Sequence, residues 1–255
     1  MVVFHSICGA GRGLLALTAL VFCSLISGHA QAQNQTTGPD ILFFGDSLTA
    51  QVDWQQSFPN DAVTNQGKPG DNTQKAIARI ELLREQYRPK KIFFMLGIND
   101  LYGAPIARIP HKIDRLLQGR LSLLRRLAER IIDWANESYW RFIRIPAAGR
   151  NYETLLGSMR KAWPDSDIFV QSVLPTDQRT FYDNNGFTIP DQSVCRLNAI
   201  LQKISVDRGF YYVDLYPNFL GSDETRSELF SDGVHLTEKG KQLLIAAVFQ
   251  RARIK

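Results

Sequence analysis

Short apolar runs alternate with longer helical patterns along most of the chain, and this alternation limits the fold more than any other feature of the sequence. Five runs are rich in branched and aromatic residues: 41–44, 62–65 and the segments KKIFFMLG, DIFVQSVLP and FYYVDLY. Continuous apolar strands separated by helices are typical of a parallel sheet that is covered on both faces. We therefore predict a three-layer α/β domain, in which a parallel sheet lies between two layers of helices.

The predicted helices have recognisable ends. Asn72 or Thr73 is expected to cap the helix of the segment NTQKAIARIELLREQYR, and Asn151 is expected to open a helix that Pro164 closes. A third helix is expected to end at Gly209, where a glycine can take the conformation that stops a helix. The segment TEKGKQLLIAAVFQRAR has the pattern of a final helix.

The first 32 residues resemble a secretory signal peptide. Arg12 precedes an apolar run at 14–26, and Ala-Gln-Ala at 30–32 matches a cleavage site. The run has 13 residues, whereas a transmembrane helix needs roughly 20. We therefore expect cleavage after Ala32 and export to the periplasm or the medium, with an uncleaved anchor as the alternative.

The remainder is expected to form one domain. Residues 33–39 are predicted to be a short flexible N-terminus and residues 40–255 a single folded unit. The chain is 44% hydrophobic with a net charge of +5, which suits a well-filled core and excludes general disorder. Cys195 is the only cysteine outside the leader, and we expect it to be a half-buried thiol in a helix.

A basic insertion interrupts the alternation after the third apolar run. Residues 105–150 carry ten Lys or Arg and four Asp or Glu, a local charge of +6. Apolar residues recur there at helical spacing between the arginines, which predicts a helical insertion. No nucleic-acid motif accompanies the arginines, so nucleic acid is not an expected partner. Three roles stay open: an acyl lid, a subdomain packed for stability, and an amphipathic helix that contacts an anionic membrane or glycan.

Residues suited to hydrolysis lie where predicted strands end and where the last helix begins. Ser47 follows the first strand, Gly70 the second and Asn99 the third, while Asp232 and His235 precede the last helix. We expect these residues to converge, because the carboxyl ends of parallel strands meet at one edge of a sheet. A serine needs a base and oxyanion donors to attack a carbonyl. The structural alternatives are that Ser47 is a helix N-cap and that Asp232 is a helix cap beside an unrelated histidine.

Together these segments resemble a known family. Gly-Asp-Ser-Leu at 45–48, Gly70, Gly-Ile-Asn-Asp at 97–100 and Asp-Gly-Val-His at 232–235 are similar, in kind and order, to the motifs of the SGNH (GDSL) hydrolases. The resemblance covers nearly all of the chain after the leader except the insertion. It implies a flavodoxin-like fold with a five-stranded parallel sheet flanked by helices.

The resemblance also implies a role for each residue. Ser47 would be the nucleophile, His235 its base, and Asp232 the acid that orients the imidazole. The backbone N–H groups of Ser47 and Gly70 and the side chain of Asn99 would form the oxyanion hole. Three further matching residues are expected to provide supporting hydrogen bonds: Asp46, Asn65 and Asp100.

The expected activity is the hydrolysis of carboxylic esters without a cofactor or a metal ion. Outside the leader the only histidines are His111 and His235, so the sequence offers few ligands for a zinc site. We favour short-acyl esters, for example O-acetyl groups on carbohydrate, because nothing besides the insertion is suited to form a long acyl tunnel. The alternatives are a lysophospholipase or thioesterase that uses the insertion as a lid, an acyltransferase, and a catalytically silent binding module. The expected partner is thus a small-molecule, glycan or lipid ester.

Overall fold

A parallel sheet of five strands forms the centre of the protein. The computed structural model describes residues 38–102, 122–185, 187–221 and 223–252. The strands are β1 (Ile41–Gly45), β2 (Val63–Gly67), β3 (Lys91–Met95), β4 (Asp167–Gln171) and β5 (Tyr211–Val213). They lie in the order β2-β1-β3-β4-β5, and every neighbouring pair is parallel. This is the flavodoxin-like order, so the predicted fold class is confirmed.

Helices cover both faces of this sheet. The described helices are α1 (Ser47–Ala50), α2 (Trp54–Ser57), α3 (Thr73–Gln86), α4 (Ile98–Leu101), α5 (Ser122–Tyr139), α6 (Ile145–Ala162), α7 (Gln178–Asn185), α8 (Asp191–Asp207), α9 (Asp223–Leu229) and α10 (Glu238–Ala252). A π-helical turn (Trp140–Arg144) joins α5 to α6, and a 3₁₀ turn (Tyr216–Phe219) follows β5.

Successive strand residues fill two apolar layers, one on each face of the sheet. Phe44 points into the layer shared with α3, α6 and α8, and Phe43 into the layer shared with α1, α2 and α10. In the second layer the Phe43 ring stacks on Trp54 at 3.9 Å and on Phe93 at 5.2 Å, and Phe93 stacks on Phe169 at 4.7 Å. This row of rings anchors β1 and β3, the two strands whose ends carry the candidate site.

The helix before β4 begins earlier than the sequence predicts. Asn151 does not open it, because α6 already begins at Ile145 and continues from α5 through the π-helical turn. Pro146 lacks an N–H, and its ring crowds the carbonyl of the preceding turn in a regular helix. The π-helical turn lies directly before Pro146, and there the N–H of Ile145 donates to the carbonyl of Trp140, five residues back. The second half of the predicted insertion is therefore one rod with the helix that covers the sheet.

Two local predictions also need correction. The second strand spans Val63–Gly67 and not residues 62–65, which places Asn65 inside the strand, opposite Phe43. Cys195 is exposed, because it lies on the side of α8 opposite the buried Leu197 and Val194.

Several predictions fall outside the described residues. These are the signal peptide at 1–32, most of the N-terminus at 33–39, and the part of the insertion at 103–121. Among the helices that the structure describes, none combines the length and the apolar character needed to span a membrane.

Candidate active site

Ser47 stands at the end of β1, where the strand turns into a short helix. The N-cap of α1 is Asp46, whose Oδ1 accepts a hydrogen bond from the backbone N–H of Leu48 at 2.9 Å. Ser47 is therefore the first residue of the helix and not its cap, so the N-cap alternative is wrong. Its hydroxyl is left available at the carboxyl edge of the sheet. This edge lies beside the switch point between β1 and β3, where ligands bind in such folds.

His235 and Asp232 complete a hydrogen-bonded row with Ser47. The Nε2 of His235 lies 3.0 Å from Ser47 Oγ, and its Nδ1 lies 2.6 Å from Asp232 Oδ2. Ser47 and His235 are 188 residues apart in the sequence. Thr237, not Asp232, caps the last helix, since its Oγ1 accepts from the N–H of Gly240 at 3.2 Å. The alternative of a capping aspartate beside an unrelated histidine is therefore wrong.

Asp232 is held as a carboxylate. Partial burial opposes its ionisation, but hydrogen bonds from the His235 ring and from the N–H groups of His235 and Val234 outweigh burial and lower its pKa. The two backbone bonds to Oδ1 measure 2.7 and 3.0 Å. An ionised carboxylate on Nδ1 fixes the imidazole tautomer and stabilises the imidazolium that forms when Nε2 takes a proton.

The turn that carries these two residues depends on Gly233. Its φ of +95° is in the region that favours glycine, and a Cβ there would lie 2.5 Å from the backbone nitrogen of Phe181. The Gly233 carbonyl accepts from the N–H of Asp177 at 2.9 Å, and the Asp232 carbonyl accepts from Asn184 at 3.1 Å. Helix α7 and the residue before it thus hold the turn against the sheet edge.

Asn99 links the loop after β2 to the start of α1. Its Nδ2 donates to the carbonyl of Asp71 at 2.8 Å and lies 3.5 Å from Asp46 Oδ2. Gly70 comes directly before Asp71, and its φ of +74° turns the loop at a point where open space lies beside the Cα. The three predicted donors, Ser47, Gly70 and Asn99, therefore lie on segments that contact one another.

A buried ion pair holds this loop, and the sequence analysis missed it. Arg79 of α3 pairs with Asp71 at 2.5 Å, donates to the carbonyl of Gln66 at 2.8 Å, and lies over the Phe44 ring at 5.1 Å. Asp71 is only 2% exposed. Its position beside Gly70 was the one signal available in the sequence, because the pairing with Arg79 depends on how the loop folds back over the start of α3.

The predicted supporting residues are all placed around the site. Asn65 donates to the carbonyls of Thr49 and Val52, both at 3.1 Å, and so holds the segment after Ser47. Asp100 accepts from the N–H and the hydroxyl of Thr73, at 3.0 and 2.5 Å, which ties α4 to the start of α3. Neither residue contacts His235 or Ser47 through a described hydrogen bond.

Two buried carboxyls lie behind the triad. Burial raises the pKa of Asp46 to about 7, although the hydrogen bond from Leu48 and the charge of His235 act in the opposite direction. Burial also raises the pKa of Asp100, against the hydrogen bonds from Thr73. Within the described parts of the chain, no group of three or more His, Cys, Asp or Glu side chains is placed to hold a metal ion.

The sequence between residues 43 and 243 matches the GDSL-like lipase/acylhydrolase family. This stretch runs from β1 into α10 and contains Ser47, Gly70, Asn99, Asp232 and His235. The chain belongs to the GDSL-like lipase/acylhydrolase family. It is therefore a hydrolase that acts on ester bonds, as the sequence predicts.

Solved structures with the same fold include several GDSL-like proteins. A GDSL-like lipase from Bacteroides thetaiotaomicron is 17% identical, with a TM-score of 0.55, and the match covers 91% of this chain and 95% of that protein. The lipase/acylhydrolase from Enterococcus faecalis is 19% identical, with a TM-score of 0.54 and coverages of 83% and 93%. The acetyl xylan esterase AlAXEase is 15% identical, with a TM-score of 0.55 and coverages of 83% and 98%. At these identities the likeness concerns the fold. Among curated proteins, none matches the chain.

Proposed function

We propose that this GDSL-family protein hydrolyses carboxylic esters in two steps through Ser47, His235 and Asp232. The observation that carries the proposal is the row of hydrogen bonds from Ser47 Oγ to His235 Nε2 (3.0 Å) and from His235 Nδ1 to Asp232 (2.6 Å). In the first step, His235 takes the Ser47 proton while Oγ attacks the ester carbonyl carbon. His235 then protonates the alkoxide as its bond to the acyl carbon breaks.

The second step repeats this chemistry with water. His235 takes a proton from water, the hydroxide attacks the acyl-serine carbonyl, and the Ser47–acyl bond breaks as Ser47 recovers a proton. In both steps the negative oxygen is stabilised by the N–H groups of Ser47 and Gly70 and by the amide of Asn99. The Nδ2 group of Asn99 has two hydrogens, and the bond to the Asp71 carbonyl uses one of them. The other is directed to Asp46 Oδ2 at 3.5 Å, a long hydrogen bond that would be exchanged for one to the oxyanion.

For the substrate, we propose short-acyl esters such as O-acetyl groups on carbohydrate. One solved structure with this fold is an acetyl xylan esterase, and its name supports this choice of ester. Trp140 of the predicted insertion is buried and donates to the carbonyl of Leu101, so it belongs to the core and does not line an acyl channel. A lysophospholipase or thioesterase with an acyl lid is the second candidate, favoured by the exposed apolar side chains of α5.

We also propose export and a surface contact. The leader-like pattern of residues 1–32 supports cleavage near Ala32 and a location in the periplasm or outside the cell. The charge of +6 within residues 105–150 supports peripheral contact of the insertion with an anionic membrane or glycan. Size analysis of the mature protein and N-terminal sequencing would test the cleavage position.

The deciding experiment compares two serine variants on p-nitrophenyl esters from acetate to palmitate. Ser47→Ala is expected to lower kcat by at least about a thousandfold, because the nucleophile is lost while the fold is kept. Ser57→Ala is the matched control, since Ser57 lies beside Ile41 and Lys91 at the opposite edge of the sheet. Retained activity in Ser47→Ala would contradict the proposed nucleophile.

Two further assays separate the alternatives. A fluorophosphonate probe should label the wild-type protein and Ser57→Ala but not Ser47→Ala, whereas a silent binding module would not be labelled. Adding an acetylated sugar, a lysophospholipid or an acceptor alcohol distinguishes the ester classes and reveals acyl transfer. The proposed preference is refuted if palmitate is turned over with a higher kcat/KM than acetate.

A further inference from the structure

Helix α5 projects beyond the edge of the sheet that carries Ser47. The π-helical turn at its end is fixed at that edge, because Trp140 donates to the carbonyl of Leu101 at 3.1 Å and Arg144 donates to the carbonyl of Tyr102 at 2.8 Å. From this turn α6 runs toward the opposite edge, where β4 begins. Helix α5 therefore extends the other way, and its 18 residues span about 27 Å at the usual rise per residue.

One side of α5 is an apolar stripe that faces solvent. At a rotation of about 100° per residue, its members lie within about 100° of one another around the helix axis. The protein-facing side is different: Asn136 is buried and Tyr139 packs against the core. Each side chain of the stripe is more than half exposed: Leu123, Leu124, Leu127, Ile131 and Trp134.

Basic side chains border this stripe. Arg126 and Arg130 are exposed and lie one turn apart along one border. At the base of the helix, Arg141 is exposed with its guanidinium 5.4 Å from the ring of Phe142, which is itself 69% exposed. Helices that lie in a membrane interface combine an apolar face containing Trp and Leu with Arg or Lys on the polar side. Arginine stems lie along apolar surface while the guanidinium reaches the phosphates.

We propose that the α5 stripe is a docking surface for an anionic phospholipid bilayer. The apolar side chains would enter the boundary between headgroups and acyl chains, and Arg126 and Arg130 would bind lipid phosphates. A second copy of this chain fits less well, because pairing two stripes would bring the arginines of both copies to one interface. Docking would also turn the edge that carries Ser47 toward the bilayer. This proposal deepens the surface contact proposed above, and only the access to esters held in lipid rests on the proposed ester hydrolysis.

The protein contains a built-in reporter for this test. Of its four tryptophans, Trp134 is 69% exposed, whereas Trp54, Trp140 and Trp163 are each 2% exposed. Binding of α5 to a membrane should therefore shift the emission of the full chain to shorter wavelength. The probe is a vesicle of phosphatidylcholine with phosphatidylglycerol, compared with phosphatidylcholine alone, and flotation measures the bound fraction. Residues 1–37 contain no tryptophan, so the emission shift does not report on that apolar stretch.

Two leucine variants test the stripe directly. Leu127→Glu is expected to weaken partitioning into anionic vesicles by about tenfold or more, the scale of burying one leucine. Leu82→Glu on α3 is the matched control, because Leu82 and Leu127 are 57% and 55% exposed. Both variants keep residues 1–37, so vesicle binding by that stretch is common to them. Two double variants test the arginines. Arg126→Gln/Arg130→Gln should bind anionic vesicles more weakly than the control Arg84→Gln/Arg88→Gln does. Added salt should also weaken the binding of the wild-type protein.

Several results would overturn the proposal. These are an unshifted Trp134 emission with anionic vesicles, equal binding to neutral and anionic vesicles, and equal binding by Leu127→Glu and Leu82→Glu. Self-association that Leu127→Glu abolishes in the absence of lipid would assign the stripe to a second copy instead. An emission shift with an anionic polysaccharide and none with vesicles would assign it to a glycan. Ser47→Ala should bind vesicles as the wild-type protein does, so failure of the esterase proposal leaves this test intact.

Discussion

Replacing Asp46 by Asn should make the protein more stable at neutral pH, and by an amount that depends on pH. Asp46 is 1% exposed, and burial raises its pKa from 3.8 to about 7. The folded state therefore keeps a proton that the unfolded chain releases at lower pH. Each pKa unit corresponds to about 1.4 kcal/mol, so above pH 7 the shift lowers the free energy of unfolding by up to about 4 kcal/mol.

The sign follows from proton binding. Between about pH 4 and pH 7 the folded state binds more protons at Asp46 than the unfolded state does, so stability falls as pH rises through this window. Below pH 4 both states are protonated and the contribution vanishes. The amide introduced by Asp46→Asn does not titrate, yet its oxygen can still accept from the N–H of Leu48 and cap α1. The advantage of the variant should thus grow from pH 4 to pH 7 and then level off.

Urea unfolding of the wild-type protein and Asp46→Asn at several pH values measures this difference. Other titrating groups are common to both proteins and cancel in the comparison. Asp165→Asn is the control, because Asp165 is exposed and loses little hydration on folding. A difference in unfolding free energy between wild type and Asp46→Asn that is constant with pH would contradict this expectation. A difference that shrinks as the pH rises from 4 to 7 would contradict it as well.

Three other substitutions test the site. Asn99→Ala should lower kcat by about 100- to 1000-fold with a small effect on KM, the usual scale for one oxyanion donor; a loss below tenfold would remove Asn99 from the hole. Arg79→Gln should lower the free energy of unfolding by about 3 kcal/mol, because Asp71 is left buried and unpaired; unchanged urea stability would contradict this. Asp232→Asn should lower kcat by about 10⁴-fold while the fold is kept, since Nδ1 of His235 loses its carboxylate; a pH–rate profile identical to wild type would refute it.

The predictable parts of this protein are those encoded in short segments. Apolar runs of four or five residues mark the strands, and the order of the motifs indicated that Ser47 and His235 would meet at one sheet edge, where they lie 3.0 Å apart. The start of α6 was mispredicted because Asn151 is a local signal for the start of a helix. Packing against the sheet and the π-helical turn override this signal.

The missed contacts have a different origin. The Asp71–Arg79 pair and the bond from Asn184 to the Asp232 carbonyl join segments whose relative placement depends on the folded loops. Neither pair has a spacing that a sequence pattern would reveal. Such contacts position the predicted residues without belonging to their motifs. The motifs therefore identify the residues of the site but not the contacts that hold those residues in place.

Burying the two carboxyl groups of the candidate site lowers the free energy of unfolding, and apolar packing elsewhere in the domain offsets this loss. Asp46 and Asp100 are buried with raised pKa values behind Ser47, so their ionised forms are disfavoured in the folded state. The same strands place Phe43 and Phe93 in stacked contact below the site, where apolar burial is favourable. A substitution that neutralises Asp46 or Asp100 should therefore stabilise the protein, whereas one that also disturbs Asn99 should lower its activity. Asp46 lies 3.5 Å from Asn99, so Asp46→Asn is the substitution in which stability and catalysis should change in opposite directions.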